Sequence, residues 1–306
     1  MMVRRLHALA AVLMAALLSG CAGAGGGDSC ALEPWATVPV DTTAGVAIVP
    51  ARVDGKLVHM VLDTGAQVTI LTTAAAERID LARDFRHMQL MRAAAGTSVA
   101  GQSAPATFAF AGIAMTGVRL RVGAFPLPTL NGMQPDGLLG GDFLSALDVD
   151  LDFPHGRVVL YRARPCPGAP PPFSGAYATV PMAPSEVTRV VLPVVLDGQA
   201  MTALLDTGAS ATVVSLRGAR RAGITDAAIA TGPQVSSHAA SSQALASHAL
   251  RFTTLRIGDE VLDNPVLLAG DIDLGQPDLL LGLNYLRRHR VFLSYATRTA
   301  YIARGP

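Results

Sequence analysis

Cysteine is scarce, with three in 306 residues. No Cys or His cluster shows metal-ligand spacing, so neither a metal site nor a bound cofactor is expected. Charge is sparse and balanced: 15% of residues are charged, for a formal net charge of +1. A nucleic-acid partner would want a basic patch, and none is present. The apolar run LHALAAVLMAALL (residues 6–18) is shorter than the roughly 20 residues an ordinary transmembrane helix needs. His59, His87, His155, His238, His248 and His289 are scattered, without a Ser/His/Asp order. They read as core or solvated side chains.

What the N-terminus does contain is a secretory pattern. Arg4 and Arg5 form a basic start, the apolar run follows, and small residues lead to Cys21. Leu18-Ser19-Gly20-Cys21 resembles the lipobox of bacterial lipoproteins, in which the cysteine is lipidated and becomes the mature N-terminus. An ordinary cleaved signal with an incidental Cys21 is the alternative. On the lipoprotein reading residues 1–20 are removed, and loss of the two arginines takes the formal charge to −1. Ala22 stands where an aspartate would hold a lipoprotein in the inner membrane. The resemblance thus implies an exported, lipid-anchored protein on the periplasmic face of the outer membrane. Residues 21–37 then form a flexible tether and N-terminal arm, with Trp35 packing where the arm meets the body. Cys30 and Cys166 remain as a possible disulfide of an exported chain, free thiols being the alternative.

The rest of the chain is written twice. VLDTGAQVTIL places Asp63, Thr64, Gly65 and Ala66, and LLDTGASATVV places Asp206, Thr207, Gly208 and Ala209, an offset of 143. Upstream of each lies an alternating strand, an Asp-Gly hairpin turn (Asp54-Gly55, Asp197-Gly198) and a second strand. Downstream, PDGLLGGDFL and PDLLLGLNYL carry Leu138-Leu139-Gly140 and Leu280-Leu281-Gly282. A repeat of this length means two copies of one domain. The period-two patterning favours strands, with short helices near Thr73–Asp80, near Leu216–Gly223 and after each Leu-Leu-Gly. The proline-rich RARPCPGAPPPFSG divides the copies as a semi-stiff linker at 165–175. The expected organisation is a signal at 1–20, the arm, one lobe at 38–164, the linker, and a second lobe at 176–306.

Each half resembles a retropepsin-type aspartic protease subunit, and the whole resembles a fused, pepsin-like two-lobed enzyme. The resemblance rests on the two DTGA strings and the two Leu-Leu-Gly elements and spans almost all of the mature chain. It implies a mainly β, bilobal acid-protease fold and an endopeptidase acting on polypeptide as a monomer. Asp63 and Asp206 would form the catalytic dyad. The threonines would hydrogen-bond across a pseudo-twofold axis, the glycines would permit close approach, and the Leu-Leu-Gly elements would lie beneath the dyad. Two carboxylates forced together cannot both ionise cheaply, so they titrate as a pair. A silent peptide-binding lipoprotein using the same cleft is the second reading, and a homodimer pairing lobes between chains is a third.

Arg92–Pro105 is the candidate flap of the first half, with Ser236–His248 its glycine-free counterpart. Asp142 and Asn284 are expected as helix N-caps. Asp148, Asp150 and Asp152, alternating in DVDLDF, are expected on a solvated strand face rather than around calcium.

Overall fold

The structure, a computed structural model, describes residues 32–303 apart from 94–95, 126, 128, 130–131, 167, 185 and 238–244. Cys21, Cys30 and the signal therefore lie outside the described residues. Leu32–Pro306 form one compact unit.

Each half starts from a tight hairpin. In the first, β1 (Pro34–Pro39) is followed by β2 (Ile48–Val53) and β3 (Lys56–Leu62), joined at Asp54-Gly55. Both turn residues have positive φ, 48° and 79°, the conformation that an Asp-Gly pair tolerates and the strand twist demands. Asp197-Gly198 repeats this, at 47° and 80°. Each turn aspartate also accepts a backbone N–H from the neighbouring hairpin, Thr107 for Asp54 and Thr253 for Asp197.

The first half continues with β4 (Ile70–Thr72), α1 (Thr73–Arg78), β5 (Arg83–Ala93), β6 (Gly96–Ser103), β7 (Ala106–Phe110), β8 (Ile113–Val118), β9 (Arg121–Gly123), β10 (Gly137–Leu139), α2 (Gly141–Leu144), β11 (Leu147–Asp152) and β12 (Arg157–Arg162). The second half runs β13 (Tyr177–Pro181), β14 (Val191–Leu196), β15 (Gln199–Leu205), β16 (Val213–Ser215) and α3 (Leu216–Arg221). It then adds α4 (Asp226–Thr231), β17 (Gln234–Ser237), β18 (Leu245–Arg251), β19 (Thr254–Ile257) and β20 (Glu260–Asp263). Last come β21 (Val266–Gly270), β22 (Leu279–Leu281), α5 (Leu283–Leu286), β23 (Arg290–Ser294) and β24 (Thr299–Ala303).

The described residues form two nine-stranded sheets. Their orders, β5-β6-β9-β4-β10-β3-β2-β7-β8 and β17-β18-β21-β16-β22-β15-β14-β19-β20, match strand for strand. Alternation places Val58, Met60 and Leu62 in the core of one and Met201, Ala203 and Leu205 in that of the other. The helices expected after each Asp-Thr-Gly are α1 and α3. The fold is mainly β, in two matching halves.

A third sheet joins the halves. Its order is β1-β12-β11-β23-β24-β13, three strands from each half, with β11 and β23 antiparallel at the seam. The N-terminal arm enters this sheet, where Pro34–Pro39 is an edge strand paired with β12. Trp35 remains substantially exposed beneath the Arg162 guanidinium, 4.2 Å from its ring centroid.

The acidic alternation corrects the sequence reading. Asp148, Asp150 and Asp152 are buried, not solvated, at 1%, 0% and 0% exposure. One face of β11 sends Leu147, Val149 and Leu151 into the main core, so its other face carries the three carboxylates. Each is satisfied there. Asp148 accepts Ser294 Oγ and the Ala296 N–H, Asp150 is clasped by Arg290, and Asp152 binds His155 and Arg157. The proline-rich segment packs against the same face: Pro172 O accepts from Arg290, and the Phe173 ring lies 5.1 Å from its guanidinium carbon. It is a strap rather than a spacer. Cys166 within it is buried and disulfide-bonded, with its partner outside the described residues.

Candidate active site

β3 and β15 each run, buried, into an Asp-Thr-Gly turn. The Asp63 N–H donates to Leu139 O at 3.0 Å and the Asp206 N–H to Leu281 O at 2.9 Å, so each turn hangs from the strand of its own Leu-Leu-Gly element. Those strands, β10 and β22, pair parallel to β3 and β15.

The threonines lace the two turns together. Thr64 Oγ1 donates to Leu205 O at 2.6 Å and accepts the Thr207 N–H at 3.2 Å. Thr207 Oγ1 donates to Leu62 O and accepts the Thr64 N–H, the latter at 3.1 Å. Both are fully buried, so each hydroxyl satisfies two backbone groups that would otherwise be stranded.

This lacing brings the acids into contact. Asp63 Oδ1 accepts the N–H groups of Gly65 and Ala66 at 3.0 and 2.9 Å, and Asp206 Oδ1 accepts that of Gly208 at 2.8 Å. The two carboxyl groups lie near enough that the charge of Asp63 bears on Asp206. Each also lies against the other turn's glycine. A Cβ on Gly65 would sit 2.6 Å from Asp206 Cγ, and one on Gly208 2.7 Å from Asp63 Cγ. Burial pushes both carboxyls above the usual carboxylate range, although the turn amides pull Asp63 back. Asp206 is pushed further, by burial and then by the charge of Asp63. Both shifts run toward holding a proton at the pair.

The Leu-Leu-Gly elements hold the turns from below. Leu139 and Leu281 are fully buried, Leu280 is nearly so, and Leu138 is half-buried. Gly140 and Gly282 pass so close to the chain after each turn that a Cβ would meet Val68 C at 2.5 Å or Ala211 O at 2.3 Å. The helices that follow aim their first N–H groups at the turns: Gly141 to Ala66 O at 2.8 Å and Leu283 to Ala209 O at 2.7 Å.

Asp142 and Asn284 do not cap these helices, whose N-cap positions are Gly140 and Gly282. Their side chains reach instead to Thr69 and Thr212. Thr69 Oγ1 donates to Asp142 Oδ1 at 2.7 Å and accepts the Gly140 N–H; Thr212 Oγ1 donates to Asn284 Oδ1 at 2.9 Å and accepts that of Gly282. Sequence reasoning passed over both threonines. The signal was available, because they too recur at the offset of the repeat.

The candidate flap belongs to the β5–β6 hairpin, in which Arg92 pairs with Thr97 and Ala93 with Gly96; its tip, 94–95, lies outside the described residues. Its counterpart is β17–β18, pairing Ser237 with Leu245, with 238–244 outside them. Among the described residues no group of three or more His, Cys, Asp or Glu side chains is placed to hold a metal ion.

Comparison with known proteins divides the chain at the same place. Residues 49–143 match the family model of an aspartyl protease, and residues 192–288 match that of a gag-polyprotein putative aspartyl protease. Each match contains one Asp-Thr-Gly and one Leu-Leu-Gly. No curated protein matches the chain.

Proposed function

From a chain whose two halves fall in aspartic-protease superfamilies, we propose an aspartic endopeptidase whose nucleophile is a water activated between Asp63 and Asp206. The reading is supported by one observation, the seating of each carboxyl against the other turn's glycine.

The chemistry follows from the shared proton. In the singly protonated pair the ionised carboxyl acts as general base on water, which attacks the peptide carbonyl. The protonated partner donates to the carbonyl oxygen, and a proton then passes to the leaving nitrogen. Either carboxyl can fill either role, because burial raises both. Turn amides favour the charged form at both acids. Substrate would lie as an extended strand in the cleft, held through its backbone with alternate side chains in pockets. The test is cleavage of an unfolded polypeptide by purified protein. Asp63→Asn and Asp206→Asn should each abolish it, and cleavage surviving in either variant would remove the shared dyad.

Attachment to the envelope through lipid on Cys21 is part of the same proposal. It is supported by the Leu-Ser-Gly-Cys string behind a basic and apolar start. No helix among the described residues is long and apolar enough to cross a membrane. Cells fed a labelled fatty acid should label the wild-type protein and not Cys21→Ser. Equal labelling of both would dismiss the anchor.

A further inference from the structure

The two halves match strand for strand, yet one corner of the match changes its chemistry. In the first half Phe143, three residues after Gly140, stands edge-on to Phe108 and Phe110 with ring centroids 5.6 Å apart. Leu147, seven residues after the same glycine, is buried in the same core, and Ile113, which opens β8, packs against it. At the equivalent places in the second half stand Tyr285, His289 and Glu260. Tyr285 and His289 lie three and seven residues after Gly282, and Glu260 opens β20, paired with Ile257 as Ile113 is with Phe110.

These three side chains are bonded to one another. Tyr285 Oη donates to Glu260 Oε2 at 2.6 Å, and His289 Nε2 lies 2.9 Å from Glu260 Oε1. His289 Nδ1 lies 2.9 Å from the carbonyl oxygen of Tyr285. A carbonyl only accepts, so Nδ1 carries a hydrogen. With Nε2 facing a carboxylate, the ring is satisfied at both nitrogens only as an imidazolium. It stacks on the Tyr285 ring at 4.2 Å, and both residues are more than nine-tenths buried. Of the remaining neighbours, Arg288 contributes a repelling positive charge. Opposing burial and Arg288, the Glu260 carboxylate and the Tyr285 carbonyl hold His289 above its ordinary value of 6.5.

We propose that Glu260, Tyr285 and His289 form a protonation-dependent clasp, closed while His289 is an imidazolium, that fastens the outer hairpin β19–β20 to the α5–β23 corner. The fastened corner bears on the dyad. α5 carries the Leu283 N–H that holds Ala209 O, and β22 before it holds Asp206. Losing the proton strips the ring of its ion pair and leaves a carboxylate facing a bare nitrogen. A His with a raised folded value contributes its full stabilisation below about pH 6.5, and that stabilisation drains away as pH rises through the folded value. The residues at the equivalent places in the first half, Ile113, Phe143 and Leu147, carry no titratable group.

The test uses the full chain. Thermal unfolding is followed from pH 6 to pH 9 for the wild type and for a variant given the first half's apolar set, Glu260→Ile/Tyr285→Phe/His289→Leu. The wild-type Tm should fall by at least about 3 °C more than the variant's across that range. Should the variant fail to fold, His289 in the wild type is titrated by nuclear magnetic resonance, and a midpoint above 6.5 is expected. Parallel Tm curves, or a midpoint at or below 6.5, would overturn the clasp.

Discussion

The proposed dyad is a contact between acids and glycines as much as between two acids. Each carboxyl rests where the other half's Gly65 or Gly208 has no side chain. Gly65→Ala therefore drives a methyl to 2.6 Å from Asp206 Cγ, and the only relief is to move the carboxyl. Peptide hydrolysis should fall at least about 100-fold, since displacing a catalytic group by about 1 Å costs that much. A Gly65→Ala enzyme with wild-type kcat/KM would show that the carboxyls need not meet. The upward shift of both acids gives a second expectation, in stability. An acid whose folded pKa is raised costs stability as pH climbs above its unfolded value. Replacing Asp206, the more strongly raised, should thus leave Tm at pH 7 unchanged or higher while cleavage disappears. Calorimetry of Asp206→Asn beside wild type checks this, and a clear fall in Tm would mean the charge is stabilising. For activity the sign runs the other way. The singly protonated pair should persist to higher pH than ordinary carboxylates would allow, so the alkaline limb of kcat/KM should lie well above the ordinary value of 3.8.

Between elements the decisive feature is the β11–β23 seam. Its register sets Asp150 opposite Phe292 and Asp152 opposite Arg290, and the Arg290 guanidinium reaches both carboxylates, at 2.6 and 3.8 Å. Arg290→Met would leave Asp150 buried without its partner, a type of loss that costs about 3–5 kcal/mol. Burial pushes the Asp150 carboxyl up even with Arg290 present, and without it the push is greater. The orphaned group escapes by taking a proton, so the loss should be greatest near neutral pH and shrink as pH falls. Denaturant unfolding at pH 7 and pH 5 reads this directly, and an equal loss at both would mean the ion pair is not what the variant removes. Asp152 behaves oppositely. Burial pushes its carboxyl up, but His155 and Arg157 outweigh burial and hold it below the ordinary value, so its contribution persists until strongly acid pH. None of this was legible in DVDLDF. Alternation shows that three acids share a face, but not that a strand from the other half and the proline-rich strap will cover it. The Asp-Gly hairpins, the Asp-Thr-Gly turns and the Leu-Leu-Gly strands could be read, because their chemistry is local and the repeat prints it twice. The roles of Asp142 and Asn284 could not. Their partners lie 73 and 72 residues away, and a polar residue just after a glycine looks the same whether it caps a helix or ties a loop.

At the scale of the whole molecule the repeat raises the question of whether one half could stand alone, as a two-chain arrangement of lobes would require. The third sheet answers through what each half leaves open. Cut within the strap, the first half keeps β1, β12 and β11 but exposes the β11 edge over Asp150–Asp152 and surrenders Arg290, Ser294 and the Ala296 N–H. Thr64 loses its acceptor at Leu205, and Leu62 O loses its donor at Thr207. An open strand edge bearing apolar and half-paired acidic residues is a template for association. A second copy of the same half could offer a DTGA turn, but its β11 would bring Asp148, Asp150 and Asp152 against their own likes where β23 brings Arg290. Like charges directly opposite in a ladder are destabilising. Residues 32–164 expressed alone should therefore show no cooperative thermal transition and should elute as aggregate or expanded chain. Co-expression with residues 165–306 should recover a one-to-one complex whose activity falls on dilution. A first half that unfolds cooperatively as a soluble homodimer, with its own peptidase activity, would show instead that the acidic strand can pair with itself, and that the fused chain is a convenience rather than a necessity of this seam.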